Sequence, residues 1–166
     1  MKPFTGQASV VWDGDSQRGK GSITAPSQAL TGVPYTPARL PNPKATNPPE
    51  LIAAALASSF SMTLATELEA AGYGAHQIHT TAAVTMEQIG TRWMMTRIHL
   101  EVIATMPDGE QFDFMDATLR AKANCPVSRL LTANISMEAR LKRGLGANPV
   151  KAAPQASSSR SKNPKK

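Results

Sequence analysis

The sequence predicts an α+β fold in which antiparallel sheets wrap a long, buried central helix. Three observations carry this. Residues 47–72 form a helical run with no charge between Leu51 and Ala65. Three later stretches alternate apolar with polar side chains at the period of two that a strand requires. The resulting order, β-β-loop-α-β-β-α-α-β, places hairpins on either side of the helix rather than alternating strand with helix.

Residues 7–13 and 19–24 read as the first two strands, with Gly14-Asp15-Ser16-Gln17 as the hairpin turn between them. Arg18-Gly19-Lys20-Gly21 opens the second strand. Residues 25–46 contain five prolines and little periodicity, so they read as a long loop, a feature that is usually functional in a small domain. The helix follows. Asn47 caps it, Pro48 suits its first position, and Glu50 at the third makes a variant of the capping box. Gly72 stops it. About 24 residues at 1.5 Å each give a helix of about 36 Å. A helix apolar on every face is a buried one, and its Ser and Thr content argues against a span of ~20 apolar membrane residues.

Ile78, Thr80, Ala82, Val84 and Met86 then alternate with more polar neighbours, as do Met94, Thr96, Ile98, Leu100, Val102 and Ala104, with a turn at Gly90 between them. Pro107-Asp108-Gly109 turns the chain into a second helix, residues 110–124, on which Phe112, Met115, Leu119 and Ala123 recur at helical spacing. Cys125-Pro126 interrupts it. A short helix over Val127–Thr132 and a last strand, with Ile135, Met137, Ala139 and Leu141 on one face, complete the domain at residue 143.

Composition narrows the function. The 166 residues suit one domain, and the 5% aromatic content demands an aliphatic, Met-rich core. The N-terminus has no apolar signal-like stretch, and the single cysteine excludes an internal disulfide framework; both fit a cytoplasmic protein. The net charge of +6 belongs to the tail. Residues 144–166 hold Lys151, Arg160, Lys162, Lys165 and Lys166 and no acid, leaving 13 basic against 12 acidic residues before them. Rich in Pro, Ser, Ala and Lys, the tail is expected to be disordered, favouring solubility over nucleic-acid contact. His76, His79 and His99 have no ligand-spaced partners, so no metal is expected. No phosphate-binding glycine motif and no nucleophile elbow around Ser58, Ser59 or Ser61 is present. Cys125 stands out. Pro126 after it marks a helix start, where the dipole favours a thiolate; the competing reading is a buried, inert thiol.

Thr46-Asn-Pro-Pro-Glu-Leu-Ile-Ala-Ala-Ala, then Ser-Phe-Ser-Met, then Lys122-Ala-Asn-Cys-Pro-Val-Ser, with Trp12-Asp-Gly-Asp and Arg18-Gly-Lys-Gly before them, resemble the OsmC-type proteins of the OsmC/Ohr superfamily over residues 7–143. The resemblance implies an intertwined homodimer in which two sheets wrap two central helices and each site draws on both subunits. It implies a thiol peroxidase that reduces organic hydroperoxides without metal or flavin and is recycled by a dithiol reductant, in oxidative and osmotic stress responses. Membrane and nucleic-acid partners are not implied. By position, Cys125 matches the resolving cysteine, and Arg39 and Glu50 the activating pair, with Arg18 as the rival arginine.

One departure decides the chemistry. The peroxidatic cysteine of the family falls on Ser59, and a histidine common three positions earlier is Leu56. A serine cannot form the sulfenic acid of the catalytic cycle, so this form is expected to be impaired or inactive. Ser59 is either an engineered replacement, which its family-like surroundings favour, or natural divergence, which Leu56 and Ser58 favour. The alternative function is a non-catalytic relative that binds an apolar small molecule or acyl chain at the dimer interface.

Overall fold

The computed structural model describes residues 3–37, 42 and 44–143. Arg39 and the tail from residue 144 lie outside the described residues, and so does the expectation of a disordered tail. The chain forms two three-stranded sheets and three helices among those residues.

Strands β1 (Ser9–Asp13), β2 (Lys20–Thr24) and β3 (Val33–Tyr35) make an antiparallel sheet in that order. The third strand lies inside the stretch expected to be loop. It escapes sequence detection because it is three residues long and carries Pro34, which a sheet tolerates only at an edge. Trp12, Gly21 and Tyr35 occupy one row across the sheet. The two rings lean together over it, centroids 5.3 Å apart. A Cβ on Gly19 would run into the Trp12 indole, and one on Gly21 into the Tyr35 ring. The glycines of Arg18-Gly-Lys-Gly thus make room for aromatic side chains.

Helix α1 (Pro48–Ala70) begins as its sequence dictates. The Asn47 Oδ1 accepts from the Glu50 N–H at 3.0 Å, and Glu50 Oε2 accepts from the Thr46 hydroxyl at 2.8 Å and more weakly from the Asn47 amide. The helix ends in a Schellman pair: Gly72, at φ +86°, donates to Glu69 O, and Tyr73 donates to Leu68 O. By length and composition α1 could cross a membrane. Instead its Leu56, Phe60, Leu64 and Leu68, spaced four apart, are fully buried in the chain's own core. The helix is not buried all round, however. Ala54, Ser58, Met62 and Thr66 form an exposed row on the other side.

β4 (Gln77–Ile89) and β5 (Arg92–Met106) form a long antiparallel hairpin, and β6 (Asn134–Arg143) joins β5 in parallel. The expected antiparallel last strand is therefore corrected. α2 (Gln111–Asn124) and α3 (Pro126–Leu130) cross back over the sheet between β5 and β6, and a crossover of that length returns the chain in the same direction. A second correction concerns β5. Thr85 faces Arg97 but Met86 faces Met95, so Thr96 is the extra residue of a bulge. Beyond it the faces exchange: Met95 is half-buried and Met94 is 50% exposed.

The third correction is the orientation of α2. Phe112, Met115 and Leu119 are exposed, and Phe114, Ala117, Thr118 and Ala121 are buried. The helix carries two apolar faces, and periodicity alone selected the wrong one. The core gathers the buried row of α1, the buried face of α2 with Cys125, and Ile98, Leu100, Val102, Ala104, Met106 and Ile135 of the second sheet. No residue of β1–β3 belongs to it.

Phe114→Ala is expected to cost about 3–5 kcal/mol in urea unfolding, and more than Phe112→Ala. Met94→Ala should stay within about 0.5 kcal/mol. A reversed order for the two phenylalanines would contradict this orientation of α2.

Candidate active site

Ser59 follows from the packing of α1. It precedes Phe60 on the flank of the buried row, so its half-buried hydroxyl points toward the junction of α2 and α3. Cys125 is that junction. Proline disfavours helical backbone in the residue before it, and Cys125 accordingly sits at φ −60°, ψ 119°, closing α2 and capping α3. Its N–H donates to Ala121 O at 2.9 Å, and its sulfur accepts from the Ser128 N–H at 3.5 Å. The Cys125 thiol donates to Ser59 Oγ at 3.3 Å.

The thiol is completely buried. Burial pushes its pKa up, but the Ser128 and Ser59 side chains and the backbone N–H groups of Ser128 and Val127 push it down further, and the net direction is below the ordinary thiol value. The Ser128 hydroxyl lies beside the sulfur without forming a hydrogen bond of standard geometry to any described group. Cys125 is thus both buried and shifted toward the thiolate.

A second cluster secures this junction. Glu67 of α1 accepts from Arg120 Nε at 2.9 Å through one carboxylate oxygen and from Asn124 Nδ2 at 2.8 Å through the other. Asp116 holds another face of the Arg120 guanidinium. The Asn124 hydrogen bond, then that of Arg120, keeps the Glu67 carboxyl below its usual range against the burial that raises it. Neither Ser128 nor this cluster was singled out in the sequence. A signal for Ser128 existed, since it stands three residues after a Cys-Pro start, where an N-cap is satisfied. Glu67 had no such signal, since α1 also carries Glu50 and Glu69 and the partners of Glu67 lie 53 and 57 positions away.

The other described candidates are not brought to Ser59. Glu50 precedes it by nine residues, which places it about 13 Å away along the helix and on the opposite side. Glu50 instead borders an open hollow with Val33, Pro34, Lys44, Ala45 and Thr46. Arg18 is exposed in the turn before β2, where its N–H donates to Asp15 Oδ1 at 2.8 Å. Leu56 is wholly in the core. Among the described residues no three His, Cys, Asp or Glu side chains meet as metal ligands. His99 contacts Ser136 and His79 lies near Thr81.

The sequence profile of the OsmC-like protein family matches residues 41–140, a stretch that contains Glu50, Ser59 and Cys125. Peroxiredoxin OsmC of Escherichia coli (strain K12) is 39% identical over 132 residues, covering 79% of this chain and 92% of the relative. Among solved structures, an OsmC-like protein of Vibrio cholerae superposes with a TM-score of 0.69 at 13% identity, over 83% of this chain and 100% of the other. The organic hydroperoxide resistance protein OhrB of Bacillus subtilis gives 0.60 at 18% identity, over 82% and 98%. The profile match over residues 41–140 and the 39% identical relative, together with two small sheets and three helices in this arrangement, establish that the chain belongs to the OsmC family of the OsmC/Ohr peroxiredoxins.

Proposed function

We propose that this chain is an OsmC-type hydroperoxide reductase scaffold in which a hydroxyl stands where attack on peroxide requires a thiol. The observation that carries this reading is the 3.3 Å contact between Ser59 Oγ and Cys125 Sγ. The relative named peroxiredoxin and the structural neighbour named for hydroperoxide resistance supply the reaction class.

With a cysteine at position 59, the thiolate attacks one peroxide oxygen. An S–O bond forms, the O–O bond breaks, and the departing alkoxide takes a proton to leave as an alcohol. Sulfur is oxidised by two electrons and becomes a sulfenic acid. The Cys125 thiolate then attacks that sulfur, an S–S bond forms, and hydroxide leaves as water on protonation. A dithiol reduces the disulfide by exchange. Ser59 stops the sequence at its first step. The one remaining thiol, Cys125, is buried away from a bulky peroxide. The acyl-binding alternative loses its motive, because Leu56 fills the core rather than a pocket wall.

The assembly is a homodimer. A three-stranded sheet that contributes nothing to the core needs cover for its apolar face, where Val10 is 53% and Trp12 37% exposed. The Ala54–Thr66 row of α1 and the outer face of α2 are equally uncovered. A second copy also gives Glu50, which lies too far from Ser59 of its own chain, a site to serve in the partner. In that site Arg39 is the guanidinium that favours a thiolate, oriented by Glu50. The protein acts in the cytoplasm, where a dithiol reductant maintains the thiols.

Ser59→Cys should restore turnover of cumene hydroperoxide with a dithiol, where the serine form shows little. Robust turnover by the serine form would contradict the impairment, and no recovery with cysteine would remove the peroxidase reading. Sedimentation at micromolar concentration should return twice the chain mass; a stable folded monomer would exclude a shared site. Thiolate absorbance in a Ser59→Cys, Cys125→Ser protein isolates residue 59. Arg39→Ala is expected to raise its pKa by about one unit or more. If Arg18→Ala raises it and Arg39→Ala does not, the arginine assignment is wrong.

A further inference from the structure

Helix α2 reaches α1 through apolar contacts along its length, and contacts of that kind permit sliding and rotation by fractions of an ångström. The polar fork at its end does not. Glu67 holds Arg120 and Asn124 with separate oxygens at 2.9 and 2.8 Å, so its plane and distance are both defined. Asn124 is the residue immediately before Cys125, and Arg120 lies just over one turn earlier. Asp116, one turn before Arg120, restrains the guanidinium from the α2 side. The Glu67 side chain is only 17% exposed, which limits screening of the pair by solvent. On α1, Glu67 follows Ser59 by eight residues. One helix therefore carries both position 59 and the grip on position 125.

We infer that Glu67 is a positioning residue, clamping the end of α2 to α1 so that Cys125 meets residue 59 at bonding distance. This inference rests on the resolving role proposed above for Cys125. The step it serves is disulfide closure, in which the Cys125 thiolate displaces hydroxide from an oxidised cysteine at position 59. The sulfur of Cys125 stands 3.3 Å from the side-chain atom at 59, so bonding requires an approach of about 1 Å. Misplacement on that scale can cost about a hundredfold in rate. The arrangement joins two functions that are otherwise separate: the charge at the end of α1 is compensated, and the resolving thiol is held in register.

The test uses the full-length Ser59→Cys protein. In single turnover with cumene hydroperoxide, Glu67→Ala should slow disulfide closure by about tenfold or more relative to peroxide attack, and trapping of the sulfenic acid by dimedone should rise accordingly. Glu67→Gln is the conservative rescue. Its oxygen accepts from Arg120 and its amide donates to a flipped Asn124, so closure should stay within about threefold of the parent. Asn124→Ala, which removes only the arm beside Cys125, should slow closure as well. A second readout needs no peroxide: equilibration of the 59–125 pair against a glutathione couple measures the effective concentration of the two thiols, which Glu67→Ala should lower about tenfold. Unchanged closure and unchanged effective concentration in folded Glu67→Ala would overturn the proposal. Equal defects in Gln and Ala would overturn it too, by showing that charge rather than placement matters. If the parent fails to consume peroxide but the glutathione equilibrium responds as stated, the peroxidase reading fails and the clamp stands.

Discussion

The structure depends on one row of contacts, the burial of Leu56, Phe60, Leu64 and Leu68 of α1 between the second sheet and α2. These four side chains are completely removed from solvent, and each contributes roughly 1.5–3 kcal/mol. The row fixes the rotation of the helix about its axis. Rotation in turn decides which small side chains face inward and which remain outside. Ser59, next to Phe60, is directed to the end of α2; Ser58 and Met62 are directed away from it. Ser61, next on the other flank, reaches the Thr80 hydroxyl of β4 at 2.8 Å, so the helix is tied to the sheet by a polar contact as well. The site geometry follows from core packing before any catalytic residue is considered.

The Cys-Pro junction supplies the other half of the site by backbone chemistry. Pro126 forces Cys125 out of the helical region, and the same residue thereby ends one helix and caps the next. A thiol in that position faces N–H groups of the new helix on one side and the Ser59 hydroxyl on the other. Both favour the thiolate, and their combined effect outweighs the burial that opposes it. Any residue with a hydroxyl or thiol at 59 meets this sulfur. The hydroxyl of position 59 and the thiol of position 125 accordingly stand at hydrogen-bond distance, the geometry on which the proposed function rests.

Where local chemistry decides structure, the sequence was legible. Asn47, Pro48 and Glu50 start α1 as their side chains require, Gly72 ends it, and Cys125-Pro126 divides α2 from α3. The alternation of Ile98, Leu100, Val102 and Ala104 identified the inner face of β5. What was not legible depended on partners distant in sequence. The parallel pairing of β6 is set by a crossover, the bulge at Thr96 by register with β4, and the inner face of α2 by what α1 presents to it. For the site, Ser59 and Cys125 were identified together through the family motifs, and their contact is a matter of packing. Glu67, Arg120 and Asn124 were missed because three residues spread over 57 positions have no local signature.

The uncovered surfaces and the incomplete site have a common cause. α1 carries apolar or small side chains on all sides, but among the described residues the second sheet and α2 cover its Leu56–Leu68 side, and no residue of the first sheet joins that core. Ala54, Ser58, Met62 and Thr66 of that helix and Val10 and Trp12 of the sheet therefore stay exposed in the single chain, and the homodimer proposed above covers both by one symmetric contact. In that proposal Glu50, nine residues before Ser59 and on the opposite side of its own helix, serves the partner's site. On the dimer proposal, the core of one chain bounds one side of position 59 and the partner supplies the other, so the same contact that buries apolar surface also completes the site.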